Sequence, residues 1–302
     1  MKVLLTGATG FLGSHILKHL IEHKHNVTIL KRSFSDTNRI YNYLNSIDCY
    51  NLDEVELEEI FNNVHYDAII HTATDYGRQS SISDTVHANV VFPLRLLELF
   101  ERNSGKVFIN TDSFFNRPGI IEEYTYLSSY TSSKRYFLEM ATSFILQKQT
   151  VKLFNMRLEH IYGPYDSETK FVDNILQSLI NGTPFIDMTL GEQRRDFVYV
   201  SDVVEAFSIV LCNFDKATDL ISNHQVGQGK NYSIKQFVLM AKEITNSKSD
   251  LIFGAIPYRE NEIMSSIADV KSLSKLGWKS QVDLYEGIHL IVQHMINKRI
   301  KV

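Results

Sequence analysis

Short apolar runs alternate with helically spaced apolar positions through the first half of the chain. Val3-Leu4-Leu5 has no polar face and stops at Gly7, as a strand buried on both sides does. Ile16, Leu17, Leu20 and Ile21 then recur with the period of a helix. The β-branched run Val27-Thr28-Ile29-Leu30 predicts a second strand, and Asp67-Ala68-Ile69-Ile70-His71 another. A helix follows with Val86, Val90, Leu94 and Leu97 along one side. Lys106–Ile109 repeats the strand signal, Tyr130–Gln147 the helix and Val151–Leu158 the strand. Apolar strands separated by helices predict an α/β fold, a doubly wound parallel sheet with helices on both sides.

After Pro164 the rhythm changes. Phe171–Ile180 reads as a helix ended by Gly182, and Phe197–Val200 as a strand. Ser201-Asp202 is placed to cap the next helix, Ser233 and Gln236 form a capping-box pattern before another, and Leu284–Ile296 is amphipathic. No internal repeat or low-complexity tract interrupts the chain. The pattern predicts one domain over 1–165, rejoined by about 195–215, and a smaller C-terminal α/β domain over 166–302 that binds substrate.

The composition belongs to a globular protein: 302 residues, 44% hydrophobic and 22% charged, with a formal net charge of −4. So small an excess gives no general attraction to nucleic acid or to an anionic membrane, and any anion site has to be local. Two cysteines, Cys49 and Cys212, are too few for a disulfide framework or a Cys-rich metal site and suit a reducing compartment. No apolar run approaches the roughly 20 residues of a membrane helix, and Met1–Leu5 is too short for a secretory core of about 7–15 residues, so the expectation is a cytoplasmic protein.

The first strand runs into Gly7-Ala8-Thr9-Gly10-Phe11-Leu12-Gly13 and then into a helix. In a strand–turn–helix unit, three such glycines give a tight turn, close approach of backbone to a pyrophosphate, and close helix–strand packing, with the anion at the helix start. The spacing is G-x-x-G-x-x-G, a variant of the Rossmann dinucleotide fingerprint. About 20 residues on, an enzyme preferring NAD would place an acid for the ribose hydroxyls. This chain has Lys31-Arg32-Ser33, with no carboxylate until Asp36. Two cations and a hydroxyl suit a 2′-phosphate, so the cofactor expected is NADP(H).

Further motifs carry a resemblance. Thr111-Asp112-Ser113 follows a strand, Tyr130-Thr131-Ser132-Ser133-Lys134 opens a helix, and Arg195-Asp196-Phe197-Val198 comes later. With the glycine turn, these resemble the extended short-chain dehydrogenase/reductase family in its sugar-nucleotide branch, from residue 1 to about Trp278. Tyr130 and Lys134, four apart, share a helix face. An ammonium near a phenol of pKa about 10 favours the phenolate. The expected catalytic residues are therefore Tyr130 as proton donor, Lys134 tuning it and Thr111 orienting the substrate oxygen; the resemblance implies that Lys134 also holds cofactor ribose. The resemblance also implies cofactor contacts at His71-Thr72-Ala73 and at Asn51-Leu52, the latter with Asn where the family usually has Asp, and it makes Asn89 a structural residue.

Family dehydratases carry Thr-Asp-Glu where this chain has Thr111-Asp112-Ser113. Without the second carboxyl, loss of water lacks a base. Asp112 is left with two readings, a retained acid or a cap on local backbone, the second favoured for want of a partner. For substrate, the resemblance points to Arg195 and Arg259 on a nucleotide diphosphate, since planar guanidinium groups suit phosphate. Arg194 is read as a solvated neighbour. His160 faces the sugar, and Tyr76, Arg78 and Ser113 line the site. The Thr-Asp-Ser-Phe-Phe run and the block Leu158–Pro164 most resemble CDP-abequose and CDP-paratose synthase-like reductases. That resemblance implies NADPH-dependent reduction of a nucleotide-linked 4-keto-6-deoxy or 3,6-dideoxy hexose, as in deoxysugar biosynthesis for surface polysaccharide, by a homodimer. Alternatives are an epimerase with tightly bound NAD(P), assisted by His160, and a non-catalytic NADP-binding sensor.

Overall fold

The computed structural model describes residues 1–62, 64–117 and 128–300. The strands, in chain order, are β1 (Lys2–Thr6), β2 (Asn26–Lys31), β3 (Asp48–Asn51), β4 (Ala68–His71), β5 (Val107–Ser113), β6 (Lys152–Leu158), β7 (His160–Tyr162), β8 (Phe185–Met188), β9 (Arg194–Arg195), β10 (Phe197–Tyr199), β11 (Ile221–Val226), β12 (Tyr232–Ser233) and β13 (Asp250–Phe253). The α-helices are α1 (Phe11–Glu22), α2 (Ile82–Val86), α3 (Phe92–Arg102), α4 (Ser128–Lys148), α5 (Phe171–Ile180), α6 (Val200–Asn213), α7 (Ile234–Thr245), α8 (Lys271–Ser274) and α9 (Leu284–Ile300). Among the described residues no helix is long and apolar enough to cross a membrane.

The main sheet has seven strands in the order β11-β6-β5-β4-β1-β2-β3. The pairings of β1 with β2 and β4, β2 with β3, β4 with β5 and β5 with β6 are parallel. The chain moves outward from β1 in one direction through β2 and β3, then returns to β4 on its other side. That reversal makes the carboxyl ends of β1 and β4 a switch point, where open parallel sheets take their ligands.

Two compact units divide the chain. The first contains Met1–Leu158, Val204–His224 and Lys275–Gly277. Its core joins Leu4, Ile69 and Phe108 of the sheet to Leu96, Leu97 and Phe100 of α3 and to Phe137, Ala141 and Ile145 of α4. The second contains Glu159–Val203, Gln225–Ser274 and Trp278–Val302. There Tyr162, Phe197, Phe237 and Ile288 centre a separate core. The division falls at Leu158, earlier than 165, because β7 leaves the main sheet and pairs with β10.

Two strands have no clear apolar signal in the sequence. β3 is short and half polar, and β11 reads Ile-Ser-Asn-His-Gln-Val; both are edge strands, where burial on two faces is not required. At residue 200 the expectation needs correction. The strand ends at Tyr199 and α6 starts at Val200, so Asp202 lies in the helix's first turn. Its Oδ2 accepts hydrogen bonds from Ser280 Oγ and from the Gln281 and Val282 amides. The Ser233–Gln236 capping box forms as the pattern predicts.

Backbone contact sets the geometry between β1 and α1. Gly7 has φ +72, and a Cβ on Gly13 would stand 2.0 Å from the Gly7 carbonyl oxygen. A side chain there has to push helix and strand apart, which overpacking data put at about 1–3 kcal/mol. Gly13→Ala is therefore expected to lower the urea midpoint of the dinucleotide-free protein; an unchanged midpoint would contradict the close approach.

Candidate active site

The glycine turn combines two different steric demands. Gly7 and Gly13 leave no room for a Cβ, whereas at Gly10 a Cβ would meet only the Gly7 oxygen, at 3.2 Å. The protein itself thus does not fill the space over Gly10. Gly10 donates to Gly7 O, and Ser14 N–H makes the first helical bond, to Gly10 O. The N–H groups of the first turn of α1 have no acceptor within the helix, and they and its dipole favour an anion. Leu12 is buried, so only its backbone can serve a ligand, while Thr9 and Phe11 are half-buried. This cradle fits the pyrophosphate of a dinucleotide.

The carboxyl end of β4 is tied to that turn through Thr6. Thr6 Oγ1 lies 2.8 Å from His71 Nδ1 and accepts from Ala73 N–H, and Thr72 Oγ1 donates to Thr6 O. Thr72 and Ala73 border Gly7 at under 3 Å from an added Cβ, which puts their backbone beside the cradle. His71 differs from expectation. It is 1% exposed and sits among Phe92, Phe108 and Phe137. Burial, with the Lys134 charge adding to it, holds its pKa well below the ordinary value. His71 is a neutral core residue that braces Thr6, and its side chain does not face a cofactor.

The expected 2′-phosphate group is more committed than its sequence suggests. Lys31 Nζ donates to Asn51 Oδ1 at 2.6 Å, and Asn51 Nδ2 donates to Glu54. Leu52 packs against the core. Ser33 donates through both N–H and Oγ–H to the Asp53 carboxylate. The sequence therefore misleads on one point: the fold brings an acid, Asp53, to the end of β2 from β3's far end, and Ser33 is occupied by it. Arg32 is exposed, with its guanidinium 4.8 Å from the Phe34 ring. A second arginine, Arg39, reaches the Thr9 carbonyl at 3.4 Å. Nothing in the pattern around Arg39 signals that approach.

Thr111, Ser113, Tyr130 and Lys134 gather where β5 meets α4. Tyr130 is 7% exposed and Lys134 2%. Lys134 Nζ donates to the Thr111 carbonyl at 2.8 Å. Burial pulls Lys134 down to about 8, opposed by Asp112. Burial pushes the Tyr130 phenol up, Tyr76 adds to the rise, and a hydrogen bond with Ser113 opposes it. Burial outweighs the lowering that the Tyr130–Lys134 spacing leads one to expect. Thr111 Oγ1 is buried without a hydrogen-bond partner among the described residues, a state that calls for a ligand oxygen.

Tyr76 stacks on Tyr130, ring centres 5.1 Å apart, and Arg78 lies 5.9 Å from the Tyr76 ring. Their turn is held by Asn89, which accepts from Asp75 N–H and donates to Asp75 O and Ser133 Oγ; Ser133 in turn bonds Tyr130 O. Asn89 lies in a π-helical turn, His87–Val91, a local widening frequent at functional sites. Its structural role therefore extends to fixing Tyr130. Asp112 has partners after all. Its Oδ1 accepts from Ser113 N–H and Asn116 Nδ2, and its Oδ2 from Asn155 Nδ2 and Arg157 Nε.

In the second unit, His160 Nδ1 lies 3.7 Å from the buried Glu159 carboxylate. Arg195 is 7% exposed, not solvated, and pairs with Glu262 and with the Ile263 carbonyl. Glu262 belongs to the loop that carries the exposed Arg259, with Glu262 N–H bonded to Arg259 O. The backbone of Arg259 is thus bonded to the residue whose carboxylate pairs with Arg195. Arg194 is exposed and bonds Asn231. The buried Asp196 carboxylate, also unforeseen, gathers the Gln228, Gly229 and Ala268 amides.

Known proteins share both sequence and architecture. The NAD dependent epimerase/dehydratase family profile matches residues 3–223. A CDP-abequose synthase of Salmonella muenchen is 35% identical over 95% of this chain and 95% of its own. One of Salmonella typhimurium is 36% identical over 97% and 98%. The solved UDP-glucose 4-epimerase of Thermotoga maritima, with UDP-glucose, superposes with a TM-score of 0.82 at 25% identity, over 99% of this chain and 100% of that one.

The buried His71 predicts an acid sensitivity. Its folded pKa lies below the unfolded value of about 6.5. The unfolded chain therefore binds the extra proton, and stability is lost as pH falls below about 6.5. Replacing His71 with Gln should flatten the pH 6.5-to-5 stability slope by up to about 1.4 kcal/mol per unit, measured by urea unfolding. An unaltered slope would place the sensitivity elsewhere.

Proposed function

The chain belongs to the NAD-dependent epimerase/dehydratase family, and from that premise we propose that it reduces a nucleotide-linked 4-keto-6-deoxy or 3,6-dideoxy hexose to the 4-hydroxy sugar with NADPH. Similarity to two CDP-abequose synthases over nearly the whole chain supports a step in deoxysugar biosynthesis on a nucleotide carrier. The observation that carries reduction over elimination is the state of Asp112. All its acceptor positions are taken by four donors, and Ser113 stands where a second carboxyl would be needed. Neither acid nor base remains there for removal of water.

With its pyrophosphate held by the Gly7–Gly13 cradle, NADPH would supply the hydride. The protein's part is polar. Thr111 Oγ1, without a hydrogen-bond partner among the described residues, donates to the ketone oxygen. Tyr130, kept protonated by burial, gives that oxygen its proton as negative charge develops. The Ser113 hydroxyl bonded to the phenol stabilises the phenolate left behind. Lys134 spends one of three N–H donors on Thr111 O; the others serve the phenolate and the cofactor ribose. Arg195 and Arg259 bind the substrate diphosphate, His160 a sugar hydroxyl, and Tyr76 with Arg78 borders Tyr130.

Arg32 and Arg39, both near the cradle end of β2, support the choice of NADPH. Asp53, the acid that would argue for NAD, is turned onto Ser33. We also propose a homodimer, for which the exposed Tyr136, Met140 and Leu146 of α4 supply apolar surface. A second reading, an epimerase with tightly held NAD(P), draws on the Glu159–His160 contact.

With CDP-, UDP- and dTDP-linked 4-keto deoxysugars, at least one is expected to oxidise NADPH mole for mole; turnover without loss of absorbance at 340 nm would establish the epimerase instead. Tyr130→Phe should reduce kcat by roughly 10²–10⁴-fold while NADPH still binds, and substantial residual turnover would refute its role. Arg32→Ala should raise the KM for NADPH by about tenfold or more, the loss expected for one charge-assisted phosphate contact of about 1.5 kcal/mol, and leave that for NADH unchanged. Equal native efficiency with both nucleotides would overturn the preference.

A further inference from the structure

One buried group near the reacting residues has no task in the chemistry above. Asp112 has a side chain 0% exposed, and its ionic partner among the described residues, Arg157, is 13% exposed. A carboxylate so deeply buried is costly unless several donors compensate it, and the structure supplies four. The Ser113 N–H and Asn116 Nδ2 hold Oδ1 at 2.7 and 2.6 Å. Asn155 Nδ2 and Arg157 Nε hold Oδ2 at 2.9 and 3.2 Å. Asn155 is itself oriented from both sides, accepting from Asn110 Nδ2 and donating to Asn223 Oδ1. The cluster therefore spans β5, β6 and β11 and contains no exposed acid.

Its placement along β5 gives it consequence. Asp112 lies between Thr111, whose carbonyl holds the Lys134 ammonium, and Ser113, whose side chain bonds the Tyr130 phenol. We propose that Asp112 is a positioning residue: clamped by Arg157 and three amide N–H groups, its carboxylate fixes the Thr111–Ser113 end of β5 and supplies a buried negative charge one residue from the carbonyl that holds Lys134. The role of this strand end rests on the ketoreductase reading; the charge on Lys134 does not.

The groups around Lys134 leave Asp112 as the source of that charge. Tyr130 on α4 is neutral, His71 from β4 is neutral, and Tyr76 faces the Tyr130 ring. Arg157 on β6 approaches through Asp112. Burial opposes the ammonium and Asp112 restores it, leaving Lys134 near 8.

The test titrates protein labelled with 13C at the lysine ε-carbon, with the Lys134 resonance assigned by its loss in Lys134→Met. Neither substrate nor dinucleotide is added, so the result is independent of which reaction is catalysed. Native protein should give a midpoint near 8; one near the ordinary lysine value of about 10.4 would overturn the proposal. Asp112→Asn, and the double variant Asp112→Asn with Arg157→Met, which leaves no unpaired buried cation, should lower the midpoint by about one unit. Arg157→Met alone should not lower it. An unmoved midpoint in the folded double variant, or an equal fall in Arg157→Met, would trace the effect to packing rather than charge and refute the role. Absence of ketosugar reduction with the expected midpoints would refute only the reaction assigned above.

Discussion

A buried ammonium bonded to a strand-end carbonyl joins the two halves of the candidate chemistry. Lys134 donates to Thr111 O, which places α4 against the carboxyl end of β5 and sets Tyr130 beside Ser113. A charge with 2% exposure survives only where its surroundings compensate it, and much of the local sequence does so. Asp112 supplies the opposite charge, Arg157 and the asparagines hold Asp112, and Asn89 and Ser133 hold the Tyr130 carbonyl. Thr111 Oγ1 is what this arrangement leaves without a partner among the described residues. It is the feature that most directly asks for a substrate oxygen.

The fold read clearly from the sequence where burial is two-sided. β1, β2, β4, β5 and β6 are apolar on both faces because helices cover both sides of a parallel sheet, and the glycine turn is written in sterics that only glycine satisfies. The edge strands β3 and β11 lack that constraint and so lack the signal. The site divided similarly. Thr111, Tyr130 and Lys134 lie on regular elements; helical spacing put Tyr130 and Lys134 on one face, and the family resemblance with the strand end added Thr111.

What spacing could not show was which polar groups are already taken. Ser33 looked available because Asp53 is distant in sequence, and Asp112 looked partnerless because Arg157 and Asn155 lie one strand away. His71 looked like part of a ligand shell because the family resemblance implied it. Its neighbours Phe92, Phe108 and Phe137 come from three separate elements, and together they make it core.

These pairings change how ligand binding should be reasoned about. A chain of net charge −4 does not attract polyanions as a whole, so cationic side chains must act locally, and here several are held in place by acids or amides. Lys31 rests on Asn51, Arg157 on Asp112 and Arg195 on Glu262. A phosphate arriving at Arg195 would exchange with, or share, an existing carboxylate contact rather than meet an uncompensated cation. The free energy of that exchange is smaller than the contact alone would suggest, because the displaced carboxylate must be resolvated and the Glu262 loop refitted. Preorganisation is obtained in return: a guanidinium already desolvated and oriented loses less freedom on binding than one ordered by the ligand. The same trade explains why buried charge and anion recognition can coexist in a protein whose net charge of −4 gives no sign of them.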